Sequence, residues 1–157
     1  MLEALGNIGD FLGGIGVVIT LVYLATQIRQ NTATVRATGA ASHSEGLNNI
    51  TLLLAQNFEA RSVYFQGLSD YKSLSEDGRL QFDLLMQYFC QSLQRSVHLH
   101  RERAISEEAW QETLAAVSYL AERPGFRRWW EAWGPAYPAQ FSEFIEGSLA
   151  AAPIPEA

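Results

Sequence analysis

The histidines are the first residues to consider for chemistry, because two of the three lie two positions apart. His98 and His100 fall in a stretch with helical periodicity, and side chains at i and i+2 of a helix point to different sides. The two imidazoles therefore cannot chelate one ion together. His98 and Glu102 share a helix face, but two protein ligands make a poor zinc site. We therefore expect no metal site in this chain.

Three further groups contain residue types that occur in enzyme active sites. The run Ser42-His43-Ser44-Glu45 has the side chains of a catalytic triad, but adjacent helix positions diverge and no nucleophile-elbow motif accompanies them. Cys90 lies in an apolar helical stretch without a fixed basic partner, which is typical of an inert core thiol. Glu107, Glu108 and Glu112 are typical of a helix start and a solvated face. With no phosphate-binding or dinucleotide fingerprint, we expect no enzymatic activity and no cofactor.

Length and charge exclude some classes of protein. The chain has 157 residues, enough for one domain with a real hydrophobic core, or for one domain plus an anchor. Its net charge of −6 repels nucleic-acid phosphates, so we expect no nucleic-acid partner. The single cysteine excludes an internal disulfide.

The most distinctive element is an apolar run near the N-terminus. Residues Phe11 to Ala25 carry no charge, and the longer segment from Ile8 to Thr26 contains one charged residue, Asp10. Its nineteen residues would form a helix about 28 Å long, close to the ~30 Å thickness of a bilayer's hydrocarbon core. We therefore predict a single transmembrane helix. The alternative is a buried core helix, although soluble helices are seldom apolar all round.

The charges that flank this run predict its orientation. Glu3 and Asp10 precede it, whereas Arg29 and Arg36 follow it. Because positive residues stay on the cytoplasmic side, we expect the N-terminus outside and the C-terminal domain in the cytoplasm. No Lys or Arg precedes the apolar run, so a cleaved signal peptide is disfavoured.

Small residues recur within the run at intervals of three and four, which places them on one narrow helix face. Small side chains let two helix backbones approach closely, and helix association in lipid depends on such packing. We therefore predict a homo-oligomer whose subunit interface is formed by Gly6, Gly9, Gly13, Gly16 and Thr20. The alternative is a groove that another helix of the same chain fills.

A second stripe of polar residues lies beside the glycine face, at Glu3, Asn7 and Asp10. Polar groups at the start of a membrane helix usually meet the lipid headgroups or cap the helix. The alternative function for this stripe is a ring of carboxylates at the mouth of an oligomeric pore. Only Thr20, Tyr23 and Thr26 would add polar groups to the lumen, so a water-filled pore is the weaker interpretation.

The rest of the chain predicts a small bundle of four to five helices. We expect an anchor and juxtamembrane extension over 1–37, a break at Gly39, a cytoplasmic bundle over 40–150 and a frayed tail over 151–157. The apolar stripes and caps predict three longer helices, a loop and two short helices. The first helix runs from Ala40 to about Gln66 with Leu47, Ile50, Leu54 and Phe58 on one face, and a loop follows over 67–73. The second starts at about Ser75 and carries Phe82, Met86, Phe89, Leu93 and Val97, and the third is capped by Ser106, carries Trp110, Leu114, Val117 and Leu120 or Ala121, and stops at Pro124-Gly125. The two short helices are Phe126 to Trp133 and Ala139 to about Ala150.

The C-terminal part is crowded with aromatic residues between Phe126 and Phe144, including three of the four tryptophans. These rings form either the lid of the bundle core or a layer at the lipid headgroups, with Arg127 and Arg128 facing phosphate. We favour the core, because surface-binding helices usually carry more basic residues.

The segment Gly13 to Thr32, followed by Val35-Arg36-Ala37, resembles the opening of a widespread group of small uncharacterised bacterial proteins, whose apolar first helix ends in a YLxxQIRQNT-like signature. The Trp-rich stretch and Phe141-Ser142-Glu143-Phe144 resemble the same group's C-terminal part. The resemblance implies a membrane-associated helical protein and no activity. Its defining polar residues are Gln27, Arg29, Gln30 and Asn31, which we expect, with Arg36, to lie at the membrane interface and to bind a lipid headgroup or a neighbouring subunit.

Together these features predict an all-α, single-pass protein of the bacterial inner membrane. Its function would be that of an assembly or scaffold module that self-associates through the glycine face. Membrane lipid, a second copy of the chain and another membrane protein are the expected partners. The alternative is a small homo-oligomeric channel, and a membrane-anchored enzyme is the most distant possibility.

Overall fold

The computed structural model describes residues 2–153, with the side chains of 2–12, 36, 40, 42–44 and 47 outside the description. No residue of this range lies in a strand, so the all-α prediction is confirmed. The helices are α1 (Leu2–Gln56), α2 (Phe58–Ser69), α3 (Glu76–Arg101), α4 (Glu107–Ala121), α5 (Pro124–Trp133) and α6 (Ala139–Ala151), with 3₁₀ turns at Tyr71–Ser73 and Gly134–Ala136. The chain divides into a first unit, Met1–Thr38, and a second unit, Gly39–Ala157.

The first unit contains only the part of α1 up to Thr38, and every side chain described between Gly13 and Val35 is exposed. The span predicted from Ile8 to Thr26 begins in residues 8–12, whose side chains lie outside the description. Over the residues that are described, no helical stretch is both long enough and apolar enough to cross a membrane.

The predicted break at Gly39 is wrong, because α1 continues to Gln56. A glycine inside a helix costs only about 1 kcal/mol relative to alanine, so it does not by itself end one. Here a Cβ on Gly39 would collide with the carbonyl oxygen of Ala104, and glycine is the residue that permits this close approach.

The actual break comes at Asn57, so the single helix predicted from Ala40 to Gln66 is also wrong. Asn57 adopts an extended conformation, and its side chain accepts a hydrogen bond of 3.0 Å from the backbone N–H of Ala60. Because the helix is interrupted at Asn57, the residues predicted to form one apolar stripe do not share one face. Ile50 is buried, whereas Phe58 is 74% exposed.

The loop predicted over 67–73 is likewise shorter than expected. Helix α2 extends to Ser69, and both Gly67 and Leu68 are buried in it. A Cβ on Gly67 would enter the space of the Phe82 ring, so this glycine serves a close packing between α2 and α3 and not a turn.

The predicted cap at Ser106 and the predicted helix start near Ser75 are both confirmed. The hydroxyl of Ser75 accepts from the N–H of Gly78 at 3.1 Å, and that of Ser106 accepts from the N–H of Ala109 at 3.2 Å. Helix α4 ends at Ala121, and Pro124 occupies the first turn of α5, where its missing N–H leaves no helical hydrogen bond unmade.

The aromatic cluster lies in the core of the second unit, which confirms the core interpretation. Trp129 has no exposed surface, Trp130 is buried, and only Trp133 among this group reaches 36% exposure. Arg127 does not face outward, because its guanidinium donates to the carbonyl of Ala121 at 2.7 Å. Arg128 forms an ion pair with Glu131. The alternative in which both arginines face lipid phosphate is therefore wrong for Arg127.

Candidate interaction surface on the first helix

No side chain in the described part of the first unit covers the glycine face of α1. Gly13, Gly16 and Thr20 are all exposed. Apart from the helix's own backbone, no described atom lies within 4 Å of a Cβ built on Gly13 or Gly16.

The same face continues beyond the glycines at steps of three and four residues. After Thr20 it passes through Tyr23, Gln27, Gln30 and Thr34, all of which are exposed. The amide of Gln27 donates to the Tyr23 hydroxyl at 2.7 Å along this line. A repeat that alternates three and four averages 3.5 residues, which is the spacing of helices that pack along their whole length. We call the face formed by these seven residues, from Gly13 to Thr34, the seam.

Hydroxyl groups in this part of α1 are satisfied by the helix itself. Thr20 donates to the carbonyl of Gly16 at 2.8 Å, and Thr26 donates to the carbonyl of Tyr23 at 2.7 Å. Bonds of this kind leave no orphaned hydroxyl proton and turn the threonine methyl groups outward. The helix can therefore place these residues in an apolar environment without a desolvation cost for the hydroxyl donors.

Outside the seam, the surface between Ile15 and Ile28 is apolar except at Thr26. Val17, Val18 and Ile19 are consecutive, so they point about 100° apart around the axis, and each is about 60% exposed. Gln27, Arg29, Gln30 and Asn31 follow this surface and are exposed as well. The other predicted site residues, namely Glu3, Gly6, Asn7, Gly9, Asp10 and Arg36, have side chains that lie outside the description.

The residues considered for chemistry are dispersed in the second unit. His98 is exposed, while the His100 ring stacks on Trp110 with the ring centroids 4.0 Å apart. Across the described ranges, no three His, Cys, Asp or Glu side chains come close enough to hold a metal ion. Ser42, His43 and Ser44 have side chains outside the description, and Glu45 is exposed.

Cys90 is buried beside the hydroxyl of Tyr137. Burial raises the pKa of the Cys90 thiol from 9.0 to about 12, and a hydrogen bond with Tyr137 lowers it by less. Burial, more than any other factor, also raises the pKa of Tyr137. A thiol in this state is not a nucleophile near neutral pH, as its apolar sequence neighbours indicate.

A groove in the second unit has no counterpart in the sequence patterns. Its walls come from α1, α2, α3 and α4, and they include Arg61, Tyr64 and Tyr119. These residues lie far apart along the chain, so no spacing rule connects them. In the structure, the aromatic side chains of Phe65 and Tyr119 remain exposed at this groove.

No protein-family model matches the chain, and no match is found among curated proteins or among solved structures.

Proposed function

We propose that this chain is a single-pass membrane protein that self-associates through the seam and serves as an assembly or scaffold module. The observation that carries the proposal is the surface of α1 from Ile15 to Ile28, which is exposed throughout and apolar except at Thr20, Thr26 and Gln27. Contiguous apolar surface of this kind on a soluble protein marks contact with a membrane or a partner. The resemblance of the Gly13 to Thr32 segment to small bacterial membrane proteins supports the inner membrane as its location.

Lipid is the partner that best suits the apolar surface outside the seam. Each hydroxyl donor at Thr20 and Thr26 is bonded within the helix, so burial in hydrocarbon leaves neither unpaired. The exposed set of Gln27, Arg29, Gln30 and Asn31 then falls at the headgroups. Arg29 and Arg36 favour the orientation with the second unit in the cytoplasm.

A second copy of the chain is the partner that best suits the seam. An interface between identical helices needs close backbone approach, and the open surface over Gly13 and Gly16 allows it. The polar part of the seam, at Gln27 and Gln30, would lie opposite the same residues of the other copy, where amides can pair with each other. Another membrane protein with a small-residue face is the further partner that this surface could take.

A scaffold is favoured over a channel because the threonine hydroxyl groups that could line a pore already donate to carbonyls of their own helix. The hydroxyl protons of Thr20 and Thr26 point to carbonyls of their own helix. A pore would depend on Glu3, Asn7 and Asp10 for its polar mouth and would have little polar surface below it.

Substitution along the seam tests the self-association. Gly16→Leu or Gly13→Leu should push two packed backbones apart and reduce the oligomer to smaller species, because helix association in lipid has no hydrophobic drive to offset a clash. Native mass spectrometry in mild detergent measures the subunit number directly.

Gly14→Leu is the matched control for these variants. Gly14 is equally open, with nothing within 4 Å of an added Cβ, but it lies about 100° around the helix from Gly13. It should leave the oligomer intact. An unchanged subunit number in all three variants would place the contact elsewhere, and dissociation by Gly14→Leu alone would assign it to another face.

A further inference from the structure

The second unit carries an apolar groove of about 360 Å³ that the proposed function does not use. Ile50 and Leu54 of α1 form one wall, Phe65 of α2 and Phe89 of α3 extend it, and Tyr119 of α4 closes it. Phe65 remains 52% exposed in this position. The groove has the composition of a small-molecule site, which is mostly apolar and aromatic with a few polar groups.

One charged side chain lines this groove. Arg61 is half-buried, and its guanidinium lies 5.3 Å from the centroid of the Phe58 ring. In the part of the chain that the structure describes, no carboxylate forms an ion pair with it. A guanidinium held against an aromatic ring beside an apolar groove is well placed to receive an anion, because it is already ordered and partly desolvated.

A second arginine reinforces the positive potential at the far wall. The guanidinium carbon of Arg123 lies 4.3 Å from the centroid of the Tyr119 ring, and its Nε is buried with no hydrogen-bond partner. The Tyr64 hydroxyl is close enough to Arg123 and to Tyr119 for their charges to act on it. The groove is thus lined by Arg61 and two tyrosines among apolar side chains, and Arg123 lies next to its Tyr119 wall.

We propose that this groove binds a single-chain lipid carboxylate, with the acyl chain along the apolar walls and the carboxylate on Arg61. Charge complementarity favours an anion, since both arginines lack a carboxylate partner among the described residues. The planar guanidinium fork matches a carboxylate bidentately. The volume lies at the small end of ligand pockets, which suits one acyl chain and not two. The site belongs to the second unit, so it does not depend on the membrane anchor or on self-association.

Photo-crosslinking of the full-length protein tests the site. Purified protein in mild detergent is irradiated with a palmitate that carries a diazirine near the end of its chain and an alkyne for enrichment. We expect crosslinks to map to peptides that contain Leu54, Phe65 or Phe89. Unlabelled palmitate should compete, and methyl palmitate should compete at least tenfold less well because it lacks the anion.

Matched variants separate specific binding from partition into micelles. Arg61→Gln should lower crosslinking at least fivefold, whereas Arg61→Lys should restore most of it and Arg103→Gln, which removes an exposed charge outside the groove, should change nothing. Ala55→Trp should fill the groove and block crosslinking. Ala115→Trp is its control, because Ala115 is exposed on α4 and does not line the groove.

Several results would overturn the proposal. They are crosslinks confined to the apolar surface between Ile15 and Ile28, equal competition by methyl palmitate, or equal labelling of the wild type, Arg61→Gln and Ala55→Trp. Circular dichroism of each variant confirms that the helices are intact before the labelling is compared.

Discussion

Two glycines allow close packing around α2, with the backbone of α5 at Gly125 and with the Phe82 ring of α3 at Gly67. A Cβ on Gly125 would overlap the carbonyl oxygen of Gly67, and a Cβ on Gly67 would overlap the Phe82 ring. Neither glycine has a positive φ, so the reason for glycine here is space and not backbone conformation. Interiors packed this tightly cannot accept an added methyl group without moving a helix.

Gly125→Ala should therefore lower the free energy of unfolding by about 2–3 kcal/mol, because the new methyl group meets backbone atoms that cannot rotate away. Gly147→Ala is the control, since nothing lies within 4 Å of its added Cβ in α6. That change should raise the free energy of unfolding by about 0.5–1 kcal/mol by removing helical glycine. Urea denaturation followed by far-UV circular dichroism measures both, and equal effects would refute the packing argument.

The buried thiol of Cys90 predicts a dependence of stability on alkaline pH. Its pKa is 9.0 when unfolded and about 12 when folded, so the folded state retains the proton over an interval in which the unfolded state loses it. The stabilisation is complete below pH 9 and is lost as the pH rises toward 12. Tyr64 and Tyr137 act in the same direction, but only from their ordinary value of 10.0 upward.

Between pH 9 and 10 the free energy of unfolding should therefore fall with a slope that approaches about 1.4 kcal/mol per pH unit. Cys90→Ala should remove most of this slope in that interval and leave the steeper fall above pH 10. Urea denaturation at half-unit pH steps gives the slopes. If Cys90→Ala retained the wild-type slope from pH 9 to 10, another group would be responsible for it.

At the scale of elements, the side chain of Arg127 donates hydrogen bonds to backbone carbonyls at the C-terminal ends of two helices. Arg127 of α5 donates to the Ala121 carbonyl at the end of α4 and, at 2.9 Å, to the Leu149 carbonyl near the end of α6. The last carbonyls of a helix have no partner within it, and a cation there also complements the helix dipole. The neighbouring Arg128 makes only an exposed ion pair with Glu131, one turn along the same helix.

Arg127→Gln should lower the free energy of unfolding by about 2–3 kcal/mol, because half-buried carbonyls lose a charged donor. Arg128→Gln removes the same charge from the adjacent position and should cost no more than about 0.5 kcal/mol, as exposed pairs contribute little. Thermal and urea denaturation of the two variants side by side measure the difference. Similar losses in both would mean that overall charge matters and the helix ends do not.

Local signals predicted those elements whose ends are determined by neighbouring residues. Ser75 and Ser106 are followed by acidic first turns, and both cap helices where the pattern indicates. A glycine such as Gly39 usually indicates a helix end. Here glycine is needed because the helix passes close to Ala104, which lies 65 positions away in the chain. Asn57 could have been recognised as a cap, but the apolar periodicity on both sides concealed the change of register.

The two candidate surfaces, the seam and the groove, also differ in how far the local sequence predicts them. The seam follows from one helix and its periodicity, so Gly13, Gly16 and Thr20 were identified from sequence alone. The groove around Arg61 brings together four helices, and its residue types are ordinary for each of them. Only packing brings Arg61 close to Phe65 and Tyr119, and spacing in the sequence does not encode packing.

At the scale of the whole molecule, the two units obtain their stability from different sources. The second unit has a core of its own, built around Phe82, Met86, Trp129 and Phe141. The described part of the first unit has no buried residue, so no core of its own is present among the described residues.

A chain that begins at Ala40 should therefore be soluble and monomeric without detergent and should keep the hydrogen-exchange protection of α3 and α4. The full-length protein should require detergent, because the surface from Ile15 to Ile28 is removed only in the shorter chain. Analytical ultracentrifugation of both chains with and without detergent measures this difference. Full-length protein that sediments as one small species in plain buffer would contradict the proposed anchor.

The placement of the tryptophans has a spectroscopic consequence. All four lie in the second unit, and the rings of Trp129 and Trp130 are 6.3 Å apart, with Trp133 6.4 Å from Trp129. Chromophores at this separation couple as excitons and exchange excitation energy, so emission collects on the most exposed ring, that of Trp133. The tryptophan fluorescence of the chain is consequently a signal of the second unit alone. A tryptophan placed in the first unit, for example by Val18→Trp, becomes a separate reporter of what surrounds that helix.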